Sequence, residues 1–73
     1  MADITFEIKE TLGVLSESKR GWTKEVNMVS WNGREAKVDI REWDATHEKM
    51  GKGLTFTTEE IIKLKELLKQ IEA

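Results

Sequence analysis

Residues 36–43 have the sequence Ala-Lys-Val-Asp-Ile-Arg-Glu-Trp, in which apolar and polar side chains alternate. Alternation with a period of two is typical of a β-strand whose two faces differ. One row of side chains is apolar and would face the core: Ala36, Val38 and Ile40. The other row carries two cations, an acid and an indole: Lys37, Asp39, Arg41 and Trp43. This segment therefore predicts a strand with one core face and one polar, solvent-facing face.

Two further strands are expected before this segment and one after it. Ile4, Phe6 and Ile8 alternate with polar residues, which predicts a first strand over residues 4–16 with a bulge near 11–13. Residues 22–31 are rich in β-branched and aromatic side chains and predict a second strand, followed by a hairpin turn at Asn32-Gly33. Residues 44–53 are predicted to be a polar loop and 54–56 a short fourth strand.

The C-terminal segment predicts one amphipathic helix. Thr57-Thr58-Glu59-Glu60 matches a capping box, with Thr57 as N-cap, and the helix would run to about residue 72. Its apolar stripe is wide enough to cover the sheet and also to contact a second copy: Ile61, Leu64, Leu68 and Ile71. The expected fold class is α+β, a four-stranded antiparallel sheet followed by one helix (β-β-β-β-α), as a single homodimeric domain over residues 1–73.

Length and composition exclude several classes of protein. A chain of 73 residues is one domain, and chains of this size bury only about 60% of their unfolded surface, so a monomer would be marginal. The absence of Cys and the single His47 exclude disulfides, thiolate chemistry and His-pair metal sites. Apolar runs are two or three residues long, which is too short to span a membrane, and no signal-peptide pattern is present. We expect a cytoplasmic protein that is not an enzyme and has no metal or cofactor.

The charge and tryptophan distribution indicates a candidate binding surface. Net charge is −2, yet residues 19–53 carry eight Lys or Arg against six acids, together with all three Trp. Indoles stack on bases while cations hold phosphates, which is how sequence-tolerant binders of single strands work. The alternative to a binding surface is that the Trp are core residues and the cations are solvated surface residues. The candidate nucleic-acid-binding residues are Lys19, Arg20, Trp22, Lys24, Trp31, Lys37, Arg41, Trp43, Lys49 and Lys52.

Three segments in their order and spacing resemble the transcriptional positive cofactor 4 family. These segments are Val38-Asp39-Ile40-Arg41-Glu42-Trp43, Lys52-Gly53-Leu54-Thr55-Phe56, and Thr58-Glu59-Glu60 leading to Leu64-Lys65-Glu66-Leu67. The stretches 22–31 and 47–53 look still closer to the small bacterial YdbC-type members. The resemblance covers about residues 4–70.

The resemblance implies a curved four-stranded sheet with one helix, paired as a homodimer through the helix and the end of the sheet. It further implies sequence-independent binding of single-stranded DNA in a channel on the concave sheet face, without metal or catalysis. The family's stacking aromatics would fall on Trp43 and on or beside Trp31, and its basic residues on Arg41 and Lys52. Such a protein would act in bacterial DNA transactions or transcription.

Two other functions remain open from the sequence. One is a protein-interaction or transcription-regulatory module whose Trp face binds a peptide. The other is a binder of single-stranded RNA, which differs from DNA at a given site only by the 2′-hydroxyl. A steep loss of affinity with salt would favour a nucleic acid over a peptide.

Overall fold

The computed structural model describes residues 4–72. It contains four strands and one helix in the order β1 (Phe6–Glu17), β2 (Thr23–Trp31), β3 (Lys37–Trp43), β4 (Met50–Phe56) and α1 (Thr58–Leu68). The strands form one antiparallel sheet in the order β1-β2-β3-β4, so β1 and β4 are its edges. The predicted β-β-β-β-α architecture is confirmed.

The long edge strand β1 is irregular in its pairing with β2. Its register shifts at three places, one of them between Thr11 and Gly13, where the sequence predicts a bulge. Bulges bend a strand and increase its twist, which also makes an exposed edge a poor template for pairing.

The turn after β2 fastens the start of β1. Asn32 and Gly33 have positive φ angles of 51° and 74°, as the hairpin-turn signal predicts. The Thr5 backbone N–H donates to Asn32 Oδ1 at 2.9 Å, and the Asn32 N–H donates to the Thr5 carbonyl at 2.8 Å. Trp31, at the end of β2, consequently pairs with Phe6 of β1.

The alternation of side chains gives the sheet two different faces. The tryptophan face carries Phe6, Ile8, Glu25, Asn27, Val29, Trp31, Lys37, Asp39, Arg41, Trp43 and Thr55. The helix face carries Val26, Met28, Val38, Ile40, Leu54 and Phe56, with Lys24, Glu42 and Lys52 at one end. Helix α1 contacts β3 and β4 on this second face.

The better-buried face is the opposite of the one that the sequence predicts. Asp39 and Trp43 are 0% exposed, whereas Val38 and Ile40 are only half-buried. The prediction that Asp39 and Trp43 face solvent is therefore wrong. The reason is that one short helix leaves much of the apolar row uncovered, while Phe6 packs over Trp43 from β1.

Strand β4 begins earlier than predicted, at Met50 rather than Leu54, so the preceding loop covers only residues 44–49. The glycines that suggested a loop lie inside this strand. A Cβ on Gly53 would lie 2.0 Å from the Cβ of Arg41, so the close approach of β4 to β3 at this point requires glycine.

Helix α1 starts as predicted and ends sooner. Thr57 accepts a hydrogen bond from the Glu60 N–H, and the Glu60 side chain accepts one from the Thr57 N–H, which completes the capping box. The helix ends at Leu68 rather than near residue 72, so Ile71 lies beyond it and is 62% exposed. Within residues 4–72 no helix is long and apolar enough to cross a bilayer.

Candidate nucleic-acid interface

Trp31 and Arg41 form a stacked pair on the tryptophan face. The Arg41 guanidinium carbon lies 4.9 Å from the centroid of the Trp31 ring, within the range of a cation–π contact. Trp31 is therefore on the same face of the sheet as Arg41. An open pocket of about 350 Å³ adjoins the pair and is lined also by Ile4, Met50 and Thr55. A flat aromatic ligand could therefore reach both the indole and the guanidinium.

A buried carboxylate holds Arg41 in this position. Arg41 Nε and Nη2 donate to the two oxygens of Asp39 at 2.9 and 3.0 Å, and Arg41 Nη1 donates to the Gly51 carbonyl at 3.2 Å. The Thr55 hydroxyl donates to Asp39 Oδ2 at 2.7 Å. The candidate residues chosen from the sequence omit Asp39. Its i, i+2 spacing from Arg41 was the available signal, because alternate residues of a strand share a face.

Trp43 cannot serve as a stacking platform in this conformation. It is fully buried, with its ring 5.1 Å from that of Phe6 and stacked at 5.7 Å on the ring of His47. The sequence-based assignment of an exposed base-stacking indole at Trp43 is therefore wrong. Trp43 shares a face with Arg41, as predicted, but that face is covered at this end of the sheet.

Trp22 forms a second aromatic–cation unit away from the first. It is half-buried, and the Arg20 guanidinium carbon lies 5.5 Å from its ring centroid. Its ring edge also lies near Gly51 of β4, and its side chain lines a small pocket with Lys24 and Glu42 of the helix face. Lys24 and Lys52 also line a shallow groove on this face with Ile40 and Leu54. The candidate residues are thus divided between the two faces of the sheet.

Most of the predicted site cations are exposed and carry no ion pair within residues 4–72. Six share this property: Lys19, Arg20, Lys24, Lys37, Lys49 and Lys52. Arg41 is the exception, because it is paired with Asp39 and only 15% of its side chain is exposed. The unpaired cations are available to anionic ligands, whereas the charge of Arg41 is already compensated by Asp39.

Glu25 of β2 is a buried acid that no sequence pattern indicates, and it contacts His47, the residue that stacks on Trp43. Glu25 is 3% exposed and accepts hydrogen bonds from the hydroxyl of Thr23 and, at 3.2 Å, from the amide of Asn27. His47 Nε2 lies 2.8 Å from Glu25 Oε2, and the backbone of His47 has a positive φ of 60°. Burial alone would raise the pKa of Glu25. The three hydrogen bonds and the charge of His47 outweigh burial, so this pKa lies below its ordinary value of 4.5.

The lowered pKa of Glu25 predicts acid destabilisation. A carboxyl group with a depressed folded-state pKa contributes stability above its unfolded pKa, and the contribution is lost as the pH falls through the folded value. We expect the melting temperature to fall as the pH drops below 4.5, and Glu25→Gln to weaken that dependence. Thermal melts across this range provide the measurement. Glu48→Gln, at an exposed position, is the control and should behave as the wild type. An unchanged pH profile in Glu25→Gln would contradict this account of the acid.

Among residues 4–72 no cluster of three or more His, Cys, Asp or Glu side chains could hold a metal ion. The titratable groups that do meet on the tryptophan face are bonded to each other in the Glu25–His47 and Asp39–Arg41 pairs.

Comparisons with known proteins agree with this geometry. The family model described as transcriptional coactivator p15 (PC4) matches residues 18–67. A protein of Treponema pallidum (strain Nichols), described as uncharacterized, is 47% identical over 66 residues, which cover 90% of this chain and 78% of that protein. The chain belongs to the PC4 family. This family is a nucleic-acid-binding and non-enzymatic one.

Proposed function

We propose that the protein binds single-stranded DNA without strong sequence preference, as a homodimer, in DNA transactions or transcription. The observation that carries this proposal is the Trp31–Arg41 pair beside an open pocket. Bases of a single strand expose their faces and can stack on such a platform, whereas a duplex hides them. Membership of the PC4 family, which binds single-stranded DNA in general, supports the same ligand.

The unpaired cations supply the electrostatic part of the proposal. The net charge of −2 is unfavourable for a nucleic-acid binder. However, six exposed cations have no ion pair within residues 4–72, and they lie in the turn after β1, on β2, β3 and β4, and in the loop before β4. Phosphates that replace counterions at these side chains would make the affinity fall with salt. Sequence tolerance follows because neither stacking nor phosphate contact identifies the base.

The helix face supports the proposed homodimer. An apolar groove runs between the sheet and α1, lined by Leu12 and Leu15 of β1, Ile40 of β3, and Leu64 and Leu68 of the helix. Leu12, Leu15 and Leu68 are each more than half exposed in the single chain. Contiguous apolar surface of this kind marks an interaction site, and a second copy with the same groove would cover it symmetrically. Ile71, predicted to join this interface, does not line the groove.

Replacing Trp31 with alanine tests the stacking part of the proposal. We expect Trp31→Ala to weaken binding of an unstructured DNA oligonucleotide by about 1–3 kcal/mol, the range for one stacked base. The slope of log affinity against log salt should stay nearly the same, because no cation is removed. Fluorescence anisotropy of a labelled oligonucleotide at several salt concentrations measures both quantities.

Three results would count against this assignment. If Trp31→Ala binds the oligonucleotide with the affinity of the wild type, Trp31 is not a stacking platform. Salt-insensitive capture of a peptide would favour a protein-interaction module. Preference for an RNA of the same sequence in direct competition would make RNA the ligand, because only the 2′-hydroxyl distinguishes the two.

A further inference from the structure

We propose that Arg41 contacts a nucleobase rather than a phosphate, and that Asp39 is the positioning residue that holds Arg41 for this task. The inference rests on the proposed function and specifies what one residue of the site recognises. It differs from the expectation from sequence, in which Arg41 is one cation among several. Three observations carry it: the pairing of Arg41, its stacking and its contrast with Lys37.

The ion pair with Asp39 neutralises the positive charge of Arg41 that would otherwise attract a phosphate. Asp39 is 0% exposed and both of its oxygens accept bonds from Arg41, in the side-on geometry in which a guanidinium and a carboxylate match each other. A third bond, from the Thr55 hydroxyl, fixes the carboxylate. A phosphate approaching Arg41 would meet a neutral pair whose acid cannot move into solvent.

Because Arg41 stacks on Trp31, the flat surface of its guanidinium is the feature that can contact a ligand. One side of the plane lies over the Trp31 ring, and the pocket lined by Ile4, Met50 and Thr55 adjoins both groups. A guanidinium has five N–H donors. Within residues 4–72, two of these bond to Asp39, one to the Gly51 carbonyl and one to Met50 Sδ at 3.7 Å, so one N–H of Nη2 is left. The ligand that fits is a planar ring with an acceptor atom at its edge, which describes a nucleobase.

Lys37 provides the contrast on the same face of the sheet. It lies at the start of β3, is exposed, and has no ion pair within residues 4–72. A compact, unpaired ammonium group is suited to phosphate, whereas a stacked and neutralised guanidinium is not. The tryptophan face thus offers one residue of each kind for direct comparison.

The first test compares Arg41→Lys with Lys37→Gln in binding to oligothymidine. Arg41→Lys keeps a positive charge beside Asp39, so the fold is expected to persist. The substitution removes the planar guanidinium group. We expect about a tenfold loss of affinity with an unchanged salt slope. Lys37→Gln should lower the slope by about 0.7, the share of one phosphate contact on a single strand. Near-wild-type affinity for Arg41→Lys, combined with a lower slope for Arg41→Gln, would overturn the proposal.

The second test removes the base and keeps the phosphates. On an abasic oligonucleotide of the same length, Arg41→Lys should bind as well as the wild type, because the group that Arg41 contacts is missing. The substitution Arg41→Lys and the removal of the base then form a double-mutant cycle. Its coupling energy measures the contact between Arg41 and the base. An equal loss on the abasic and the normal strand would show that Arg41 acts on the backbone.

The positioning role of Asp39 has its own readout. Asp39→Asn leaves the guanidinium charge uncompensated, so the salt slope should become steeper by about 0.7, a change that loss of packing alone would not produce. Glu48→Gln removes an exposed carboxylate that makes no bond to Arg41 and should leave the slope unchanged, which makes it the control. An unchanged slope in Asp39→Asn that remains folded by circular dichroism would contradict the role.

Failure of this inference can be separated from failure of the proposed function. If the wild type does not bind oligothymidine, the proposed function and this inference are both wrong. If the wild type binds and Arg41 behaves as a phosphate contact in both tests, only the inference is wrong.

Discussion

Trp43→Ala should lower the free energy of unfolding by about 3–5 kcal/mol, the range for removing a large aromatic ring from a core. Trp43 is 0% exposed and packs against Phe6 and His47, so its removal leaves a cavity between β1, β3 and the loop before β4. In a domain of this size, 1 kcal/mol shifts the melting temperature by about 4–8 °C. The expected shift is therefore about 12 °C or more, measured by thermal melts at one fixed protein concentration.

Two companion variants make this result interpretable. Trp43→Phe keeps an aromatic ring in the cavity and should cost less than Trp43→Ala. Trp22→Ala removes the same side chain from a half-buried position and should also have a smaller effect. A melting temperature for Trp43→Ala equal to that of the wild type would mean that the indole faces solvent, and it would restore Trp43 as a base platform.

Leu68→Lys should break the proposed dimer. Leu68 lines the apolar groove of the helix face and is 52% exposed in the single chain, so the monomer would lose little packing. A second copy in the groove would have to bury the new charge, and we expect the dimer to weaken by about 2 kcal/mol or more, the size of a central interface residue. Light scattering over a dilution series should show the wild type at twice the 8.4 kDa chain mass and the variant shifting towards one chain mass.

Leu67→Lys is the matched control for the dimer. Leu67 is the preceding residue of the same helix turn and is 50% exposed, but it does not line the groove. The control should keep the wild-type mass. A wild-type mass of one chain at micromolar concentration would contradict the dimer, and equal effects of the two variants would show that the groove is not the interface.

The sequence predicts the architecture well because its local signals are strong. The alternation in residues 36–43, the Asn32-Gly33 turn and the capping box at Thr57–Glu60 each specify a local geometry that the structure contains. The fourth strand is predicted too short because Gly51 and Gly53 look like loop residues. Inside the sheet, Gly53 instead permits a close approach of two strands, which depends on tertiary contact rather than on local propensity.

The candidate site is predicted less well, since burial is a property of the whole fold. Strand alternation places Asp39, Arg41 and Trp43 on one face but does not say which face other elements cover. Phe6 is more than thirty residues away from Trp43 in sequence, and it is this ring that helps to cover the indole. The pairing of Glu25 with His47 is equally non-local. The contact of Arg41 with Trp31 does not follow from strand pairing either, because Arg41 pairs with Glu25 whereas Trp31 pairs with Phe6.

The most direct test of the central claim is a titration of the wild-type protein with oligothymidine and with a duplex of the same length, followed by tryptophan fluorescence at two salt concentrations. We expect the single strand to bind much more tightly than the duplex, because only its bases can reach Trp31. We also expect the affinity to fall as salt rises, because the exposed cations would contact phosphates. Equal affinity for the two forms, or no binding of the single strand at either salt concentration, would contradict it.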